Sequence, residues 1–415
     1  MPIYTDFKNT VLLSVLISII IVCSCGNQGK KGDSEIVATN GQNTASKSAI
    51  TVAANDLKSY LPLIKGKRIA IVANQTSVIF KGNGQYTHLV DSLLQLNINI
   101  KKVFAPEHGF RGSADAGEQV KDGIDAKTGL PIISLYGKNR KPTPSQLANI
   151  DIVIFDIQDV GVRFYTYIAT LQLVMEACAE SKRKILVLDR PNPNGHYIDG
   201  PTMETEHQGF LGMANIPLVY GMTIGEYAKM VNGEGWLRGS KKVNMNVIPL
   251  QKYTHESEYD LPIRPSPNLP NTKSINLYPS LGLFEGTNVN SGRGTEFQFQ
   301  RYGASFLDSS QYSFEYTPIP NFGSKNPKEN GKKCYGKDLS GIPRMNQVSL
   351  NWLIDAYVNC TDKTRFFNTS GFTKHAGTEL LQQQIEKGLS EAEIKATWHE
   401  DLEAFKKIRE KYLIY

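Results

Sequence analysis

Short apolar runs alternate with stretches of helical periodicity through the first half of the chain. Apolar runs predict β-strands over 68–73, 98–104, 151–155 and 184–188. The run DIVIF at 151–155 is almost continuously branched or aromatic, which is typical of a parallel strand buried on both faces. Apolar positions spaced by three or four predict helices over 86–96 and 167–182, and Thr223 with Glu226 forms a capping box that opens another helix. This alternation predicts a doubly wound, Rossmann-like parallel sheet.

The pattern changes after residue 262. Residues 262–345 are rich in Pro, Gly, Asn and Tyr and predict loops and short strands, whereas 346–415 predict mostly helix. Ser390 and Glu393 cap a final helix. Its apolar face comprises Ile394, Trp398, Leu402, Phe405, Ile408 and Tyr412. We therefore expect a Rossmann-like domain over 55–265 and a smaller α/β domain over 266–415.

The N-terminus has the features of an export signal. Residues 11–22, VLLSVLISIIIV, are apolar except for two serines, which is too short for a comfortable membrane span and suits a signal peptide. The following Val-Cys-Ser-Cys-Gly resembles a bacterial lipobox. The resemblance implies a signal peptide over 1–24, cleavage before Cys25 and lipidation of its thiol. The alternative is an uncleaved signal anchor, and both interpretations export the rest of the chain.

Composition and cysteine content describe the region after the signal. Residues 25–54 contain few large apolar side chains and predict a flexible tether. We expect an exported bacterial lipoprotein that is membrane-anchored and periplasmic or outer-membrane associated.

The later cysteines are Cys178, Cys334 and Cys360, an odd number that leaves at least one thiol free. Cys178 lies on the apolar face of a predicted helix and is expected in the core.

Charge and motifs narrow the possible partners and cofactors. The formal net charge is +6, and part of it lies in the tether. Basic residues do not form a stripe interleaved with aromatic ones, so nucleic acid is not an expected partner. No G-x-G-x-x-G follows the first strand, and the chain has neither a P-loop nor a G-x-S-x-G elbow. We therefore expect no cofactor and no dinucleotide site.

Each of the four predicted strands is followed at once by residues that carry chemistry. The carboxyl ends of parallel strands meet at one edge of a sheet, where open α/β sheets bind ligands. In chain order these residues are Asn74; Glu107, His108 and Arg111; Asp156, Gln158, Asp159, Arg163 and Tyr165; and Arg190 and Asn192. The second half adds Arg293 between two glycines, and Glu296 shortly after it. We expect an active site at this edge.

The residue types favour sugar chemistry. Carboxyl groups can cleave glycosidic bonds, amides bind hydroxyl groups, and aromatic rings cover pyranose faces. Pro106 before Glu107 stiffens the turn, and glycines at 109 and 112 allow close backbone approach to a ligand. Glu107, His108, Asp156 and Asp159 could instead bind a divalent cation. Their spacing does not require this, and we expect no metal.

Seven ordered strings resemble the NamZ-type exo-β-N-acetylmuramidases. They are FAPEHGFRG, TGLPIISLYG, DIVIFDIQDVGVRFYTYI, VLDRPNPNG, PSPNLPN, EGTNVNSGRGTE and the closing KYLIY. The matching region runs from about residue 68 to the C-terminus. The resemblance implies a Rossmann-like domain with a smaller α/β domain that closes the active-site cleft. It also implies a glycosidase that releases N-acetylmuramic acid from the non-reducing end of peptidoglycan fragments.

The resemblance places the family's proposed catalytic glutamate on Glu107. We expect Glu107 to act as general acid, His108 to orient it, and Asp156 or Asp159 to be the neighbouring or second catalytic carboxylate. Candidates for the lactyl carboxylate of muramic acid are Arg111, Arg163, Arg190 and Arg293. Besides these arginines, the residues expected to bind the sugar are Asn74, Gln158, Asp159, Tyr165, Asn192 and Glu296. Glu296 departs from the family pattern, where a neutral residue is expected after G-R-G-T.

Two other functional classes stay open at this stage. A non-catalytic, cell-wall-binding lipoprotein would need sugar-facing aromatics and amides but no buried acid. A metal-dependent hydrolase would lose activity with a chelator. The sequence also leaves open whether hydrolysis retains or inverts configuration or uses the acetamido group, because the separation of two carboxyl groups is a structural quantity.

Overall fold

A doubly wound sheet forms the centre of the first half in the computed structural model, which describes residues 50–112 and 122–415. In chain order the elements here are α1 (Leu57–Ile64), β1 (Ile69–Ala73), β2 (Val78–Gly82), β3 (Gln85–His88), α2 (Leu89–Gln95), β4 (Ile100–Ala105), β5 (Gly123–Ile124), β6 (Pro131–Ser134), α3 (Pro144–Leu147), β7 (Ile152–Asp156), α4 (Tyr167–Glu180), β8 (Lys184–Leu188), β9 (Asp199–Thr202), β10 (Pro217–Val219), α5 (Ile224–Gly233) and β11 (Met245–Ile248).

The order of strands in this sheet is β11-β8-β7-β1-β4-β6-β5. All its pairs are parallel except β5 with β6. The chain runs outward from β1 through β4 to β6, then returns to the other side of β1 and continues through β7 and β8 to β11. This reversal beside β1 confirms the Rossmann-like, doubly wound prediction and places the topological switch point at the carboxyl ends of β1 and its neighbours.

Alternate residues of the strands point to opposite faces and build two apolar layers. Val72, Phe104 and Phe155 face the layer that contains α4 and α5. Ile71 and Ile154 face the layer that contains α1 and α2. All five residues of β7 are buried, as the uninterrupted apolar run predicts. Both faces of the sheet are therefore covered by helices. A ligand can approach it at the carboxyl ends of the strands.

The second half is built from helices and a small antiparallel sheet. Its elements are α6 (Thr272–Leu281), β12 (Arg301–Ala304), β13 (Phe314–Tyr316), β14 (Cys334–Asp338), α7 (Asn351–Val358), α8 (Thr369–Ala376), α9 (Leu380–Glu386), α10 (Glu391–Ala396) and α11 (His399–Glu410). The strand order of the small sheet is β12-β14-β13. This agrees with the prediction of a smaller α/β portion with a mostly helical end.

Four strand predictions are confirmed to within two residues, and three element predictions need correction. The helix predicted over 86–96 begins only at Leu89, because 85–88 pair with β2 as a hairpin strand. Helix α6 lies inside the segment predicted to be loops and short strands; a capping box of Asn271 and Ser274 opens it. The predicted final helix is two helices, α10 and α11, because hydrogen bonds to the residue three positions back close the chain at Thr397 and Trp398.

The described chain begins inside the segment predicted as a tether. Val52, Ala53 and Ala54 are buried, and Thr51 pairs with Gln251 beyond β11. These residues therefore belong to the folded unit Ser48–Tyr415, and the predicted tether is too long at this end. The predicted signal peptide, Cys25 and the tether up to residue 49 lie outside the described residues. Among the helices of the described residues, none is long and apolar enough to cross a membrane.

The three cysteines of the folded unit are free and buried. Cys178 lies in the core on α4, as predicted, and burial raises the pKa of its thiol to about 12. Cys334 and Cys360 do not form a disulfide.

Candidate active site

A cavity of about 530 Å³ opens at the carboxyl ends of the strands, between the sheet and the second half of the chain. Its residues come from the turn after β4, the start of α4, the loop between β9 and β10, and the segments around α6 and α8. They are Glu107, His108, Tyr136, Arg140, Phe164, Tyr165, Thr166, His207, Gln208, Gly209, Phe210, Leu211, Ser266, Asn268, Leu269, Tyr278, Glu285, Arg293, Phe299, Lys374 and His375. The predicted edge of the sheet is thus the floor of a site that both halves enclose.

Glu107 is held in place by hydroxyl groups on both of its carboxyl oxygens. Tyr136 donates to Oε1 at 2.9 Å, and Thr166 donates to Oε2 at 2.9 Å. The turn that presents Glu107 has left-handed backbone at His108 and Gly109, with φ of 69° and 77°. His108 is buried beside Glu107 in the cavity wall. The side chain of Glu107 is therefore oriented before any ligand arrives.

The second half contributes a charged cluster to the cavity wall. Arg293 Nη1 lies 3.0 Å from Glu285 Oε2, and Ser291 donates to the other oxygen of Glu285. Burial alone would raise the pKa of Glu285, but the positive charges of Arg293 and Lys328 outweigh it and lower that pKa to about 2. His375 lies on the same wall, and burial lowers its pKa. At neutral pH this wall carries an ionised glutamate and a neutral histidine.

Aromatic rings line the space between these two groups. Tyr278 makes edge-to-face contacts with Phe164 at 5.1 Å and with Phe299 at 4.8 Å between ring centroids. Tyr165 donates to the carbonyl of Pro265 at 2.8 Å, which fixes the ring in the wall. Such rings present flat apolar surfaces of the kind that cover sugar faces.

Asp156 and Arg190, both predicted for the site, form a buried ion pair with each other. Arg190 donates through Nε to Asp156 Oδ1 at 2.6 Å and through Nη2 to Oδ2 at 2.9 Å. Neither residue lines the cavity. Asp156 is fully buried behind the cavity wall, so a ligand in the cavity does not reach its carboxyl group.

Asp159 also lies beneath the site rather than in its wall. Tyr220 and the backbone N–H of Gly161 donate to its Oδ2, and Oδ1 is buried with no hydrogen-bond partner among the described residues. Burial raises the pKa of Asp159 to about 7. Glu107, His108, Asp156 and Asp159 do not bring their ligand atoms to one point. Among the described residues, Glu204, Glu206 and His207 do so, and of these three His207 lines the cavity.

Arg163 and Arg111 are engaged elsewhere in the structure. The buried guanidinium of Arg163 donates to four backbone carbonyls, those of Pro201, Ile216, His375 and Ala376, at 2.6 to 3.0 Å. Burial lowers the pKa of Arg163 to about 9. Arg111 is paired with Asp91 and Asp125 outside the cavity. Of the four arginines predicted to contact the lactyl carboxylate, Arg293 is the one in the cavity wall.

The remaining predicted sugar-binding residues, apart from Tyr165, stabilise turns. Asn74 accepts from Thr76, Gln158 donates to the carbonyls of Asp159 and Pro191, and Asn192 donates to the carbonyl of Met222. Glu296 is exposed and lies outside the cavity wall. The structure thus brings together Glu107, His108, Tyr165 and Arg293 from the predicted set.

Several residues of the cavity were not predicted. Tyr136, Asn268 and Glu285 lie within TGLPIISLYG, PSPNLPN and EGTNVNSGRGTE, three of the strings that carry the family resemblance, so the sequence contains a signal for them. Arg140, Phe210, Lys374 and His375 carried no such signal. They reach the cavity through loop and helix packing between the two halves of the chain.

A carboxyl group held beside aromatic rings at the strand ends of a doubly wound sheet suits a glycosidase, which uses carboxyl groups to cleave glycosidic bonds and rings to cover sugar faces. The family of the exo-β-N-acetylmuramidase NamZ N-terminal region matches residues 69–273, and that of the C-terminal region matches 276–415. The chain therefore belongs to the exo-β-N-acetylmuramidase NamZ family.

Known relatives agree with this membership. The peptidoglycan β-N-acetylmuramidase NamZ of Bacillus subtilis (strain 168) is 38% identical over 378 residues, which cover 86% of this chain and 89% of that protein. Crystal structures of two DUF1343 family proteins from Bacteroides fragilis NCTC 9343 share the fold. One is 47% identical, with a TM-score of 0.81, and covers 89% of this chain and 99% of its own. The other is 28% identical, with a TM-score of 0.73, and covers 88% and 99%.

Proposed function

We propose that this protein is an exo-acting glycosidase that releases N-acetylmuramic acid from the non-reducing end of peptidoglycan fragments. Family membership and the cavity around Glu107 support this function. The observation that carries it is the fixed carboxyl group of Glu107, which two hydroxyl donors hold at the strand-end edge. The cavity volume of about 530 Å³ lies within the range of small-molecule sites.

In this mechanism Glu107 is the general acid: its proton passes to the leaving 4-hydroxyl oxygen as the bond from that oxygen to C1 of N-acetylmuramic acid breaks, and water supplies the oxygen that becomes bound to C1. A carboxyl oxygen that accepts one hydrogen bond keeps a second lone-pair position, so Glu107 can hold a proton and still accept from Tyr136 and Thr166. The two hydroxyl groups orient the carboxyl plane toward the cavity. Preorganisation of this kind lowers the cost of reaching the transition state.

Recognition of muramic acid requires a cation for its lactyl carboxylate. The cavity wall carries Arg140, Arg293 and Lys374. We propose that Arg293, fixed by Glu285, presents its guanidinium to the carboxylate with Lys374 as an additional charge. Arginine binds carboxylates bidentately, which would distinguish muramic acid from N-acetylglucosamine.

Location at the membrane is part of the same proposal. Cys25 in its lipobox-like setting would carry a lipid anchor, and the segment from there to about residue 49 would tether the folded unit to the membrane. The enzyme would then act in the periplasm or at the outer membrane, where peptidoglycan fragments arise.

Digestion of defined oligomers tests the activity. The purified protein is incubated with oligomers that end in N-acetylmuramic acid, with matched oligomers that end in N-acetylglucosamine, and with intact sacculi, and products are identified by mass spectrometry. We expect release of free N-acetylmuramic acid from the first set alone. Internal cleavage, equal rates on both termini or absence of turnover would contradict the proposal, and absence of turnover with retained binding would favour a non-catalytic glycan-binding protein.

A further inference from the structure

A second cavity of about 500 Å³ lies directly beside the one that contains Glu107. Its wall includes Lys138, Arg140, Lys141 and Phe210. Arg140, Gln208, Gly209 and Phe210 also line the first cavity, so the two spaces share one wall. A ligand that passes this wall would occupy both.

Arg140 and Phe210 form the central part of the shared wall. The guanidinium carbon of Arg140 lies 4.2 Å from the centroid of the Phe210 ring, a cation–π contact. Phe210 lies near the tip of a tight turn closed by the paired backbones of Gly209 and Gly212. The shared wall therefore presents an aromatic ring and a positive charge to a ligand that extends from one cavity into the other.

The second cavity lies on the acid side of the reaction centre. Tyr136, which donates to Glu107, also contacts Phe210 with ring centroids 6.5 Å apart. A general acid protonates the oxygen of the leaving group, so the leaving group must lie on the side of the acid. Contacts run from Glu107 to Tyr136 and from Tyr136 to Phe210 in the shared wall, so the second cavity lies on the same side as the acid.

The second cavity carries cations that have no carboxylate partner in the part of the chain that the structure describes. Among the described residues, neither Lys138 nor Arg140 forms an ion pair with a carboxylate. Lys141, by contrast, is neutralised by Glu176 at 3.1 Å and by Glu180 at 2.9 Å. Cations without a carboxylate partner at the wall of a cavity favour a ligand with negative charge.

We propose that this second cavity binds the leaving part of the glycan, an N-acetylhexosamine that is followed by a sugar bearing a carboxylate. The hexosamine stacks at Phe210, and the next carboxylate lies near Lys138. This inference rests on the proposed function and adds a substrate preference to it. Chains longer than the disaccharide are bound better, because they alone supply the second carboxylate.

Charge reversal at Lys138 tests the site. Lys138 is exposed and lines the second cavity but not the first, so Lys138→Glu should fold. The specificity constant kcat/KM is measured for an aryl N-acetylmuramide and for the tetrasaccharide of alternating N-acetylmuramic acid and N-acetylglucosamine. We expect the ratio of tetrasaccharide to aryl kcat/KM to fall about fivefold in Lys138→Glu. Lys81→Glu, the same charge change on exposed β2 residue Lys81, should leave the ratio at the wild-type value.

The outcomes separate the two proposals. If the wild-type protein releases N-acetylmuramic acid from the tetrasaccharide and the ratio is unchanged in Lys138→Glu, the second cavity does not bind the leaving glycan. An equal fall in Lys81→Glu would also overturn the proposal, since the effect would then be one of net charge. If the wild-type protein releases N-acetylmuramic acid from neither substrate, it is the proposed function that fails.

Discussion

At the scale of single residues, the proposed mechanism makes turnover depend on Glu107. Glu107→Gln keeps the shape of the side chain and can still accept from Tyr136, but an amide cannot deliver a proton to the leaving oxygen. We expect loss of about 10²- to 10⁴-fold in kcat on the natural disaccharide, measured by release of N-acetylmuramic acid.

The choice of substrate and control matters for this test. An activated aryl leaving group needs little protonation, so the disaccharide is the decisive substrate. Glu296→Gln makes the same chemical change at an exposed residue outside the cavity and should leave kcat near the wild-type value. Substantial disaccharide turnover by Glu107→Gln would remove Glu107 from the role of acid.

Asp159 makes stability depend on pH. Burial raises the pKa of its carboxyl from 3.8 to about 7, so the folded state keeps a proton that the unfolded state has already lost. This contribution is fully present below pH 4 and is lost as the pH rises through 7. Asp159→Asn cannot ionise and keeps an acceptor for Tyr220 and Gly161.

The quantity to compare is the free energy of unfolding of Asp159→Asn minus that of the wild type. We expect this difference to rise by roughly 2 kcal/mol from pH 5 to pH 8, because the wild type alone loses stability over that range. Urea unfolding at both pH values measures it. Asp401 is exposed, so Asp401→Asn is the control: its free energy of unfolding should differ from that of the wild type by the same amount at pH 5 and at pH 8. A constant difference for Asp159→Asn as well would mean that its carboxyl ionises normally in the folded protein.

At the scale of elements, helix α8 brings Lys374 and His375 to the cavity, and its position depends on a close contact with Gly286. A Cβ atom at Gly286 would lie 2.3 Å from Cα and 2.6 Å from N of Phe372 in α8. Because both are backbone atoms, the helix itself must move. We expect Gly286→Ala to cost about 1–3 kcal/mol in free energy of unfolding and to raise KM for the disaccharide.

Gly341→Ala is the matched control for this contact. No atom lies within 4 Å of a Cβ placed at Gly341, and its backbone is not left-handed. Unfolding in urea and disaccharide kinetics should leave this variant close to wild type. Wild-type stability and KM in Gly286→Ala would show that α8 tolerates the displacement.

The elements that the sequence predicts well are those whose burial leaves a regular pattern. Strand β7 is buried along its whole length, so its apolar run needs no further context. The sequence does not indicate helix α6, because Pro279 lies within it and polar residues open it. The sequence does not indicate the break between α10 and α11, because one apolar stripe continues across it. The hydrogen bonds that Thr397 donates at the end of α10 depend on local backbone geometry, which the apolar pattern does not report.

The site is less predictable than the sheet for a related reason. A polar residue after a strand can bind a ligand or satisfy neighbouring backbone, and the sequence does not distinguish the two. Glu107 and Arg293 reach the cavity, whereas Gln158 and Asn192 bind carbonyls of nearby turns. Lys374 and His375 come from α8, more than 250 positions along the chain from Glu107, so only the folded chain brings these groups together.

At the scale of the whole molecule, anchoring and catalysis should be separable. The folded unit begins near residue 48, and Cys25 lies well before it. We expect Cys25→Ser to move the protein from the membrane fraction to the soluble fraction with its specific activity on the disaccharide unchanged. Cell fractionation followed by the release assay measures both. Retention in washed membranes would point to the uncleaved apolar segment 11–22 as the anchor.

The Arg163 contact has a consequence for how the two halves of this molecule can vary in evolution. All four acceptors are main-chain carbonyls, two of which belong to the end of α8. Every amino acid supplies a carbonyl, so replacing the side chains at 201, 216, 375 and 376 leaves the acceptors in place. Covariation between positions would therefore not reveal this link. The positions that vary together with Arg163 would instead be the glycines packed against its side chain, above all Gly377, where a Cβ atom would lie 2.6 Å from Nη2 of Arg163.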